Sequence, residues 1–474
     1  MICAIDFGTA SLKVSVLPVY GSENDSIASQ QLESNADVVG LPPGYREQSP
    51  YKIFDNLKAA TTNILLHLND VDHVIMTGQM HGIVTWEDVS FDLSADLESV
   101  LESARVSNLI TWEDQRLTDT FLAENPSIHP GYGLASLLFE NYGSSSSKMS
   151  GKYWGSIMDF FAWMFLGCPR NYTVKTTSQL ANSFGYFDPL KNSFDYDTLR
   201  ARKFPVETLP SIVSDCTIMG LTKSTVLGFP EGVKVLVPMG DTQCAFYSVI
   251  RSCTDSLVLN LGTSCQIGKV LSSEEIVLMT NGALQGLEFF PYIGETFLAV
   301  FASMNGGNNL EQFVEHVFAP LICGVLNDSD KSSPPIDDIY KVFIDAGILE
   351  HCRGSRNPGV QFQGDLYSER NSHSVSASTS HASLLCLSSL SCNLGQISLA
   401  IHRGLINNAR DVFIKASNGK LLYDKVVAVG NIFRKNQLLN KLVREIFPGC
   451  VISDSDSSRG AALFVRDNVK NLHT

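Results

Sequence analysis

Two stretches about half a chain apart, AIDFGTASLKVSVL at 4–17 and VLNLGTSCQIGKVL at 258–271, share one design. Each is an apolar run of strand length, a Gly-Thr turn with a serine nearby, and a second apolar run. The first reads as a buried strand interrupted by Asp6, Gly8, Thr9 and Ser11 before its apolar pattern resumes. A Gly-Thr/Ser turn between two strands presents backbone N–H groups and hydroxyls in a tight arc, and such a concavity binds anionic oxygens. Either copy alone is equally well an ordinary hairpin turn; the pair, one in each half, points to phosphate. The GxxxxGK[ST] loop is absent, so a nucleotide would be held by another device. An Asp beside such a turn suits a divalent metal, because Mg²⁺ takes carboxylate and water oxygens together with substrate phosphates; the same Asp also suits capping of its own turn.

The rest of the chain sets the context. Its 474 residues are two or three domains' worth, and a 44% hydrophobic content is enough for sizeable cores. A formal net charge of −14 leaves no basic block to neutralise a nucleic-acid backbone or an anionic membrane. Eleven cysteines include no CxxC pair, which argues against a zinc ribbon and fits reduced thiols in a cytoplasmic compartment. The longest apolar stretch, Phe160 to Leu166, falls far short of the ~20 residues that span a bilayer. Strand-length runs at Val74–Met76, Val233–Val237, Leu257–Leu261 and Val426–Val429 alternate with helical periodicity at Ile53–Leu68 and Leu438–Phe447, so the expected class is α/β. Gly143–Ser150 and the serine-rich Ser368–Ser391 read as loops or insertions.

Seven motifs then follow in order: DFGTASLK (6–13), TGQMHGIVTW (77–86), LITWEDQR (109–116), MGDTQCAF (239–246), LNLGTS (259–264), SMNGGN (303–308) and VAVGNIFRKNQLL (427–439). Each is weak alone; the ordered set resembles the FGGY carbohydrate kinases nearly end to end. The resemblance implies two ribonuclease-H-like domains of the actin and hexokinase type flanking a catalytic cleft for ATP and sugar. The expected division is 1–250, with the sugar site, the first phosphate turn and the catalytic Asp, and 251–474, with the second phosphate turn and the adenosine site.

By this resemblance Gly8, Thr9, Ala10 and Ser11 form one phosphate turn and Gly262, Thr263 and Ser264 the other, with Lys13 either adding positive charge or standing solvated on its strand. Asp241, in Gly240-Asp241-Thr242-Gln243, matches the family's general base, and with Asp6 it is the expected Mg²⁺ carboxylate. A sugar hydroxyl attacks phosphorus only when its proton has somewhere to go, and a carboxylate in hydrogen-bond reach supplies that place. Trp112, Asp114 and Arg116 alternate in sequence, so on an extended segment they face one way, Trp112 covering the sugar's apolar face and the charged pair meeting its hydroxyls. Gln79, Met80 and His81 follow a strand, where α/β proteins carry binding loops. Gly306, Gly307, Gly430, Asn431 and Asn436 match the nucleoside-binding parts. The usual glycine-rich triplet reads Ala428-Val429-Gly430 here, and the branched Val429 is expected to narrow the adenine slot; Arg459 also stands where a small or acidic residue is common.

The activity so implied is ATP-dependent phosphorylation of the terminal primary hydroxyl of a ketose, sedoheptulose first, with xylulose, ribulose and glycerol less favoured. The expected protein is a monomer or homodimer with sugar and ATP as its partners and neither nucleic acid nor membrane. A second reading is an actin-like nucleotide- or sugar-binding scaffold without turnover.

Overall fold

The computed structural model describes residues 1–20, 26–88, 97–143, 151–223, 225–251, 253–262, 264–280, 287–303, 305–321, 334–354, 360–363, 383–385, 393–417, 419 and 422–474. They form two compact units. The first comprises Met1–Arg251, Pro291–Gly294 and Asp456–Thr474; the second comprises Ser252–Phe290 and Glu295–Ser455.

The first unit is built on a sheet of order β5-β6-β4-β1-β2-β3, with β7 also paired to β4. Here β1 is Ile2–Phe7, β2 Ser11–Leu17, β3 Ala28–Glu33, β4 His73–Gly78, β5 Ile218–Leu221, β6 Lys234–Leu236 and β7 Met239–Gly240. β1 and β2 are an antiparallel hairpin in register Phe7 to Leu12, β3 continues antiparallel, and β4 runs parallel to β1. β1 is therefore central, and its odd and even residues meet different layers. On one face Phe7 stacks on Phe161 with centroids 5.0 Å apart. Phe161 lies in α2, Ile157–Phe165, a helix buried at every position and opened by a Ser156/Asp159 capping box. That accounts for the apolar run at 160–166. The amphipathic α1, Pro50–Asn63, starts at the Ser49 cap and buries Ile53, Phe54 and Leu57 beside β2 and β3.

The other face of β1 is covered by the C-terminal helix, Ser457–Asn468. Asp456 caps it by accepting from the Arg459 amide (2.9 Å) and forms an ion pair with Lys13, while Ser458 shares a hydrogen bond with Ser15 (2.9 Å). The helix crosses α4, Asp241–Ile250, so closely that a Cβ on Gly460 would lie 1.8 Å from the Cys244 carbonyl oxygen. Tyr247 of α4 meets Phe464 edge to face and donates to Asp467 (3.0 Å). Asp456–Thr474 thus folds as part of the first unit and not of the second, because the face of β1 opposite Phe7 needs an apolar cover.

The second unit repeats the scheme. Its sheet starts at the edge strand Glu288–Pro291 and continues β10-β9-β8-β11-β12, with β8 Ser256–Leu261, β9 Cys265–Leu271, β10 Phe297–Ser303, β11 Lys425–Val429 and β12 Val451–Ser453. The β8–β9 hairpin is antiparallel, β10 extends it antiparallel, and β11 and then β12 run parallel beside β8. The echo between 4–17 and 258–271 is thereby an echo of topology. The helices include α5 (Gly307–Phe313), α6 (Ile336–Cys352), α7 (Leu394–Ala416), α8 (Asn431–Lys435) and α9 (Gln437–Ile446). Leu399, Ile406 and Phe413 of α7 and Leu439, Leu442 and Val443 of α9 share one core with Leu257, Leu259, Ile267 and Ala428 of the sheet. Ser383–Leu385 is a short strand paired with Gln361–Gln363, so the serine-rich stretch is not wholly loop; the remainder of it, and 144–150, lie outside the described residues.

Gly460→Ala has no room for its methyl against a backbone oxygen and should cost about 2–3 kcal/mol of stability or more, read as a lower denaturation midpoint of the first unit.

Candidate functional site

In the first unit three parallel strands end side by side. Phe7 pairs with Gly78 and Gly78 with Gly240, so Asp6, Gln79 and Asp241 emerge together at the carboxyl ends of β1, β4 and β7. This is where ligands bind in open α/β sheets. Asp241 is the first residue of α4, partly exposed, and its Oδ1 accepts from the Thr242 amide (2.6 Å). Burial pushes its pKa up to about 6 against the opposing Thr242 hydrogen bonds. Asp6 is pushed well above the usual carboxylate range, by burial first and then by the charges of Asp241 and Asp456, with Lys13 and Ser457 opposing. Among the described residues its buried Oδ1 has no hydrogen-bond partner.

A chain of amides and hydroxyls organises the loop beside these carboxylates. The Trp112 indole N–H donates to Thr9 Oγ1 (2.9 Å), and Thr9 Oγ1 donates to Gln79 Oε1 (3.5 Å). Gln79 Nε2 donates to Gln48 Oε1 (2.9 Å), and Gln48 Nε2 returns to the Thr9 carbonyl (2.9 Å) and Asp37 (3.0 Å). Met80 is buried with its sulfur over Gly240. His81 has φ +71°, stacks on Tyr132 with centroids 5.0 Å apart and an angle of 7°, and meets the Ser183 carbonyl through Nδ1 (2.9 Å).

Trp112, Asp114 and Arg116 do not share an outward face. β-Pairing stops at Ile110 and residues 112–113 form a turn, so Trp112 is exposed while Asp114 and Arg116 are buried. Asp114 accepts four hydrogen bonds, from the Arg46 and Arg116 amides (2.7 and 2.9 Å) and from Arg116 Nε and its terminal nitrogen (2.8 and 2.9 Å). That fills its acceptor sites. Arg116 also donates to Glu140 (2.9 Å) and Glu47 (2.7 Å) and lies 4.3 Å from the Tyr45 ring centroid. The pair therefore holds the turn that presents Trp112. Lys13 is likewise engaged, in its ion pair with Asp456. Gly8, Ala10 and Ser11 form the turn between β1 and β2 and the start of β2.

In the second unit the corresponding turn is approached by two other segments. The Gly307 amide donates to the Gly262 carbonyl (2.8 Å), and Gly430, at φ +125°, would place a Cβ 2.1 Å from the Leu261 carbonyl oxygen. Only a residue without a side chain fits there. Ser264 sits in the turn, Thr263 lies outside the described residues, and the Gly306 amide donates to Asn308 Oδ1 (2.9 Å). Beside them a cavity of about 620 Å³ is lined by Gly307, Leu310, Tyr340, Ile344, Ile432 and Asn436 among others, with Lys341 and Lys435 and the carboxylates of Glu311, Glu315, Asp337 and Asp345 also in its wall. Asn431 opens α8 next to it. Val429 is buried in β11 and absent from this lining, so its branched side chain does not narrow this cavity. Asn436 lines the cavity with its polar atoms already used: Oδ1 caps α9 at the Leu438 and Leu439 amides (3.1 Å each), and Nδ2 donates to His402 Nε2 (2.9 Å). Burial lowers the His402 pKa to about 4, keeping the ring neutral and able to accept.

Sequence reasoning did not single out Gln48, Tyr132, Ser183 or His402. None lies in the seven motifs, and only their contacts reveal them. Among the described residues no helix is long and apolar enough to cross a membrane.

Comparison with known proteins agrees with this organisation. The profile of the N-terminal domain of the FGGY family of carbohydrate kinases matches residues 1–247. The chain is 29% identical to sedoheptulokinase of Mus musculus and 28% to that of Homo sapiens, in each case over 97% of this chain and 96% of the relative. Among solved structures, gluconate kinase from Lactobacillus acidophilus superposes with TM-score 0.74 at 18% identity, and Plasmodium falciparum glycerol kinase with ADP with TM-score 0.73 at 18% identity, each covering 100% of this chain and 90% of the other. These structural likenesses carry the fold, the two-domain α/β architecture of actin and hexokinase. With the profile match spanning more than half its length, the chain belongs to the FGGY family of carbohydrate kinases.

Proposed function

We propose that this carbohydrate kinase transfers the γ-phosphoryl group of ATP to the terminal primary hydroxyl of a ketose, sedoheptulose above others, with Asp241 as general base. The observation that carries the base assignment is a partly exposed carboxylate with a pKa of about 6 at the carboxyl ends of three parallel strands. The substrate assignment rests on the two sedoheptulokinase relatives, which match almost the whole chain.

In the proposed step Asp241 takes the hydroxyl proton while the sugar oxygen bonds to the γ-phosphorus and the bond to the β-bridging oxygen breaks, releasing ADP. Trp112, held by Thr9 and by the turn that Asp114 and Arg116 brace, offers a flat face for the sugar's C–H surface. His81, fixed by Tyr132 and Ser183, faces the hydroxyls. Asp6 and Asp241 suit Mg²⁺. The orphaned Asp6 Oδ1 and the charges of Asp241 and Asp456 acting on Asp6 are an imbalance that a divalent cation relieves. A Mg²⁺ ion held by these carboxylates would neutralise charge on the transferring phosphates. The 620 Å³ cavity of the second unit suits the nucleoside, with Leu310, Ile344 and Ile432 against the base.

ADP release with MgATP, compared across sedoheptulose, xylulose, ribulose and glycerol, tests the reading; faster turnover with another polyol would reassign the substrate and leave the chemistry. Asp241→Asn should lower kcat by roughly 10²–10⁴-fold. Because the base acts only when ionised, kcat/KM should rise with pH up to about 6 and level off above it, a limb that a pH-rate profile would reveal. Filling the cavity with Ile344→Trp should raise KM for ATP about tenfold, equivalent to ~1.4 kcal/mol, with little change in KM for sugar.

A further inference from the structure

Directly before Asp241, the segment Pro238–Gly240 is gripped at both ends by the start of one helix. That helix, α3, is Ser178–Phe184, with Thr177 as its N-cap residue. Thr177 Oγ1 donates to the Pro238 carbonyl (3.2 Å), and the Gly240 amide donates to Gln179 Oε1 (3.2 Å). Gln179 is fully buried. The orientation of its amide is fixed from behind, since Nε2 donates to the Tyr292 carbonyl (2.6 Å) and to Asp215 Oδ1 (3.3 Å). Only the oxygen is then left to face Gly240.

The backstop is itself braced. Tyr292 belongs to Pro291–Gly294, the short segment that returns to the first unit. Hydrogen bonds that hold that segment include the Gln179 bond to Tyr292, Gln243 Nε2 to the Pro291 carbonyl (3.1 Å), the Gly294 amide to Asp215 Oδ2 (2.9 Å), and the Tyr292 hydroxyl to the Arg251 carbonyl (2.6 Å). Gln179 is thus the link between a rigid block and the peptide that carries Asp241. The Asp241 carboxylate is tied to its own backbone through the Thr242 amide, so a displacement of Gly240 is passed to the carboxylate oxygens.

We infer that Gln179 is a positioning residue for Asp241, oriented by Asp215 and the Tyr292 carbonyl. The role rests on the reading of Asp241 as base. A misplacement of about 1 Å at a reacting group costs on the order of a hundredfold in rate. Gln179→Leu should therefore lower kcat about 10- to 100-fold, with KM for sugar and for ATP changed less than about twofold, since neither ligand touches Gln179 in this assignment. Gln179→Glu keeps an oxygen for Gly240 but sets a second oxygen against Asp215 and Tyr292. The double variant Gln179→Glu/Asp215→Asn restores a donor to that pair and should recover part of the kcat lost in Gln179→Glu alone. Hydrogen-exchange mass spectrometry supplies a readout apart from activity: the peptide containing Gly240 should exchange at least about tenfold faster in Gln179→Leu, or in Asp215→Asn should Gln179→Leu not fold.

Asp241→Asn, run in parallel, separates this inference from the one beneath it. If Asp241→Asn retains full turnover, the base assignment falls and the positioning role with it. If Asp241→Asn is inactive while folded Gln179→Leu turns over at the wild-type rate, the positioning role alone is overturned. A loss confined to KM, or unchanged exchange at Gly240, overturns it equally.

Discussion

A strand covered on both faces can carry polar chemistry only where it ends. β1 is such a strand, with Phe161 against one face and the C-terminal helix against the other, and its single carboxylate, Asp6, sits at the last turn of the pleat before the hairpin. Parallel pairing brings the ends of β4 and β7 to the same edge, so the register that buries Ile5 and Phe7 also sets Asp6 beside the peptide of Asp241. The charge of Asp241 adds to burial in raising the proton affinity of Asp6, because the fold leaves Asp6 no other place. Core packing and site chemistry are here consequences of a single register.

The polar scaffold around that edge follows a different economy. Arg116 is buried among Asp114, Glu47 and Glu140, one cation serving three carboxylates. Buried charges are tolerated only when paired and hydrogen-bonded, and removal of one partner typically costs more than the pair contributes. The network's value lies in geometry: Trp112 stands at the surface on a turn whose carboxylate has no free acceptor site. In the second unit, Asn436 and His402 form the neutral counterpart, an amide locked by a buried imidazole that capping alone would leave free to rotate.

What was legible in the sequence was local. The Gly-Thr hairpins, the apolar runs and Asp241 after its strand are patterns of neighbours, and the repeated hairpin carried the repeated sheet topology with it. What was not legible came from distant partners. Lys13 reads as a free strand lysine until Asp456, 443 residues away, is brought to it. Alternation at Trp112, Asp114 and Arg116 suggested a common face because a strand was assumed; the strand ends at Ile110, and period two has no meaning in a turn. Gln48 and Tyr132 carry no pattern at all, and Val429 looked obstructive only while its side chain's direction was unknown.

The cover of β1 has a consequence for how the chain is made. β1 is completed by Ser457–Asn468, a helix synthesised only after the whole second unit. Until then the face that carries Ala4 and Ser15 is open to water, and the loop to be closed is among the longest the chain can form. The second unit, continuous but for its excursion at Pro291–Gly294, can assemble meanwhile. The N-terminal unit, begun first, is finished last, so during synthesis the nascent protein carries an unshielded sheet face that a chaperone is suited to guard.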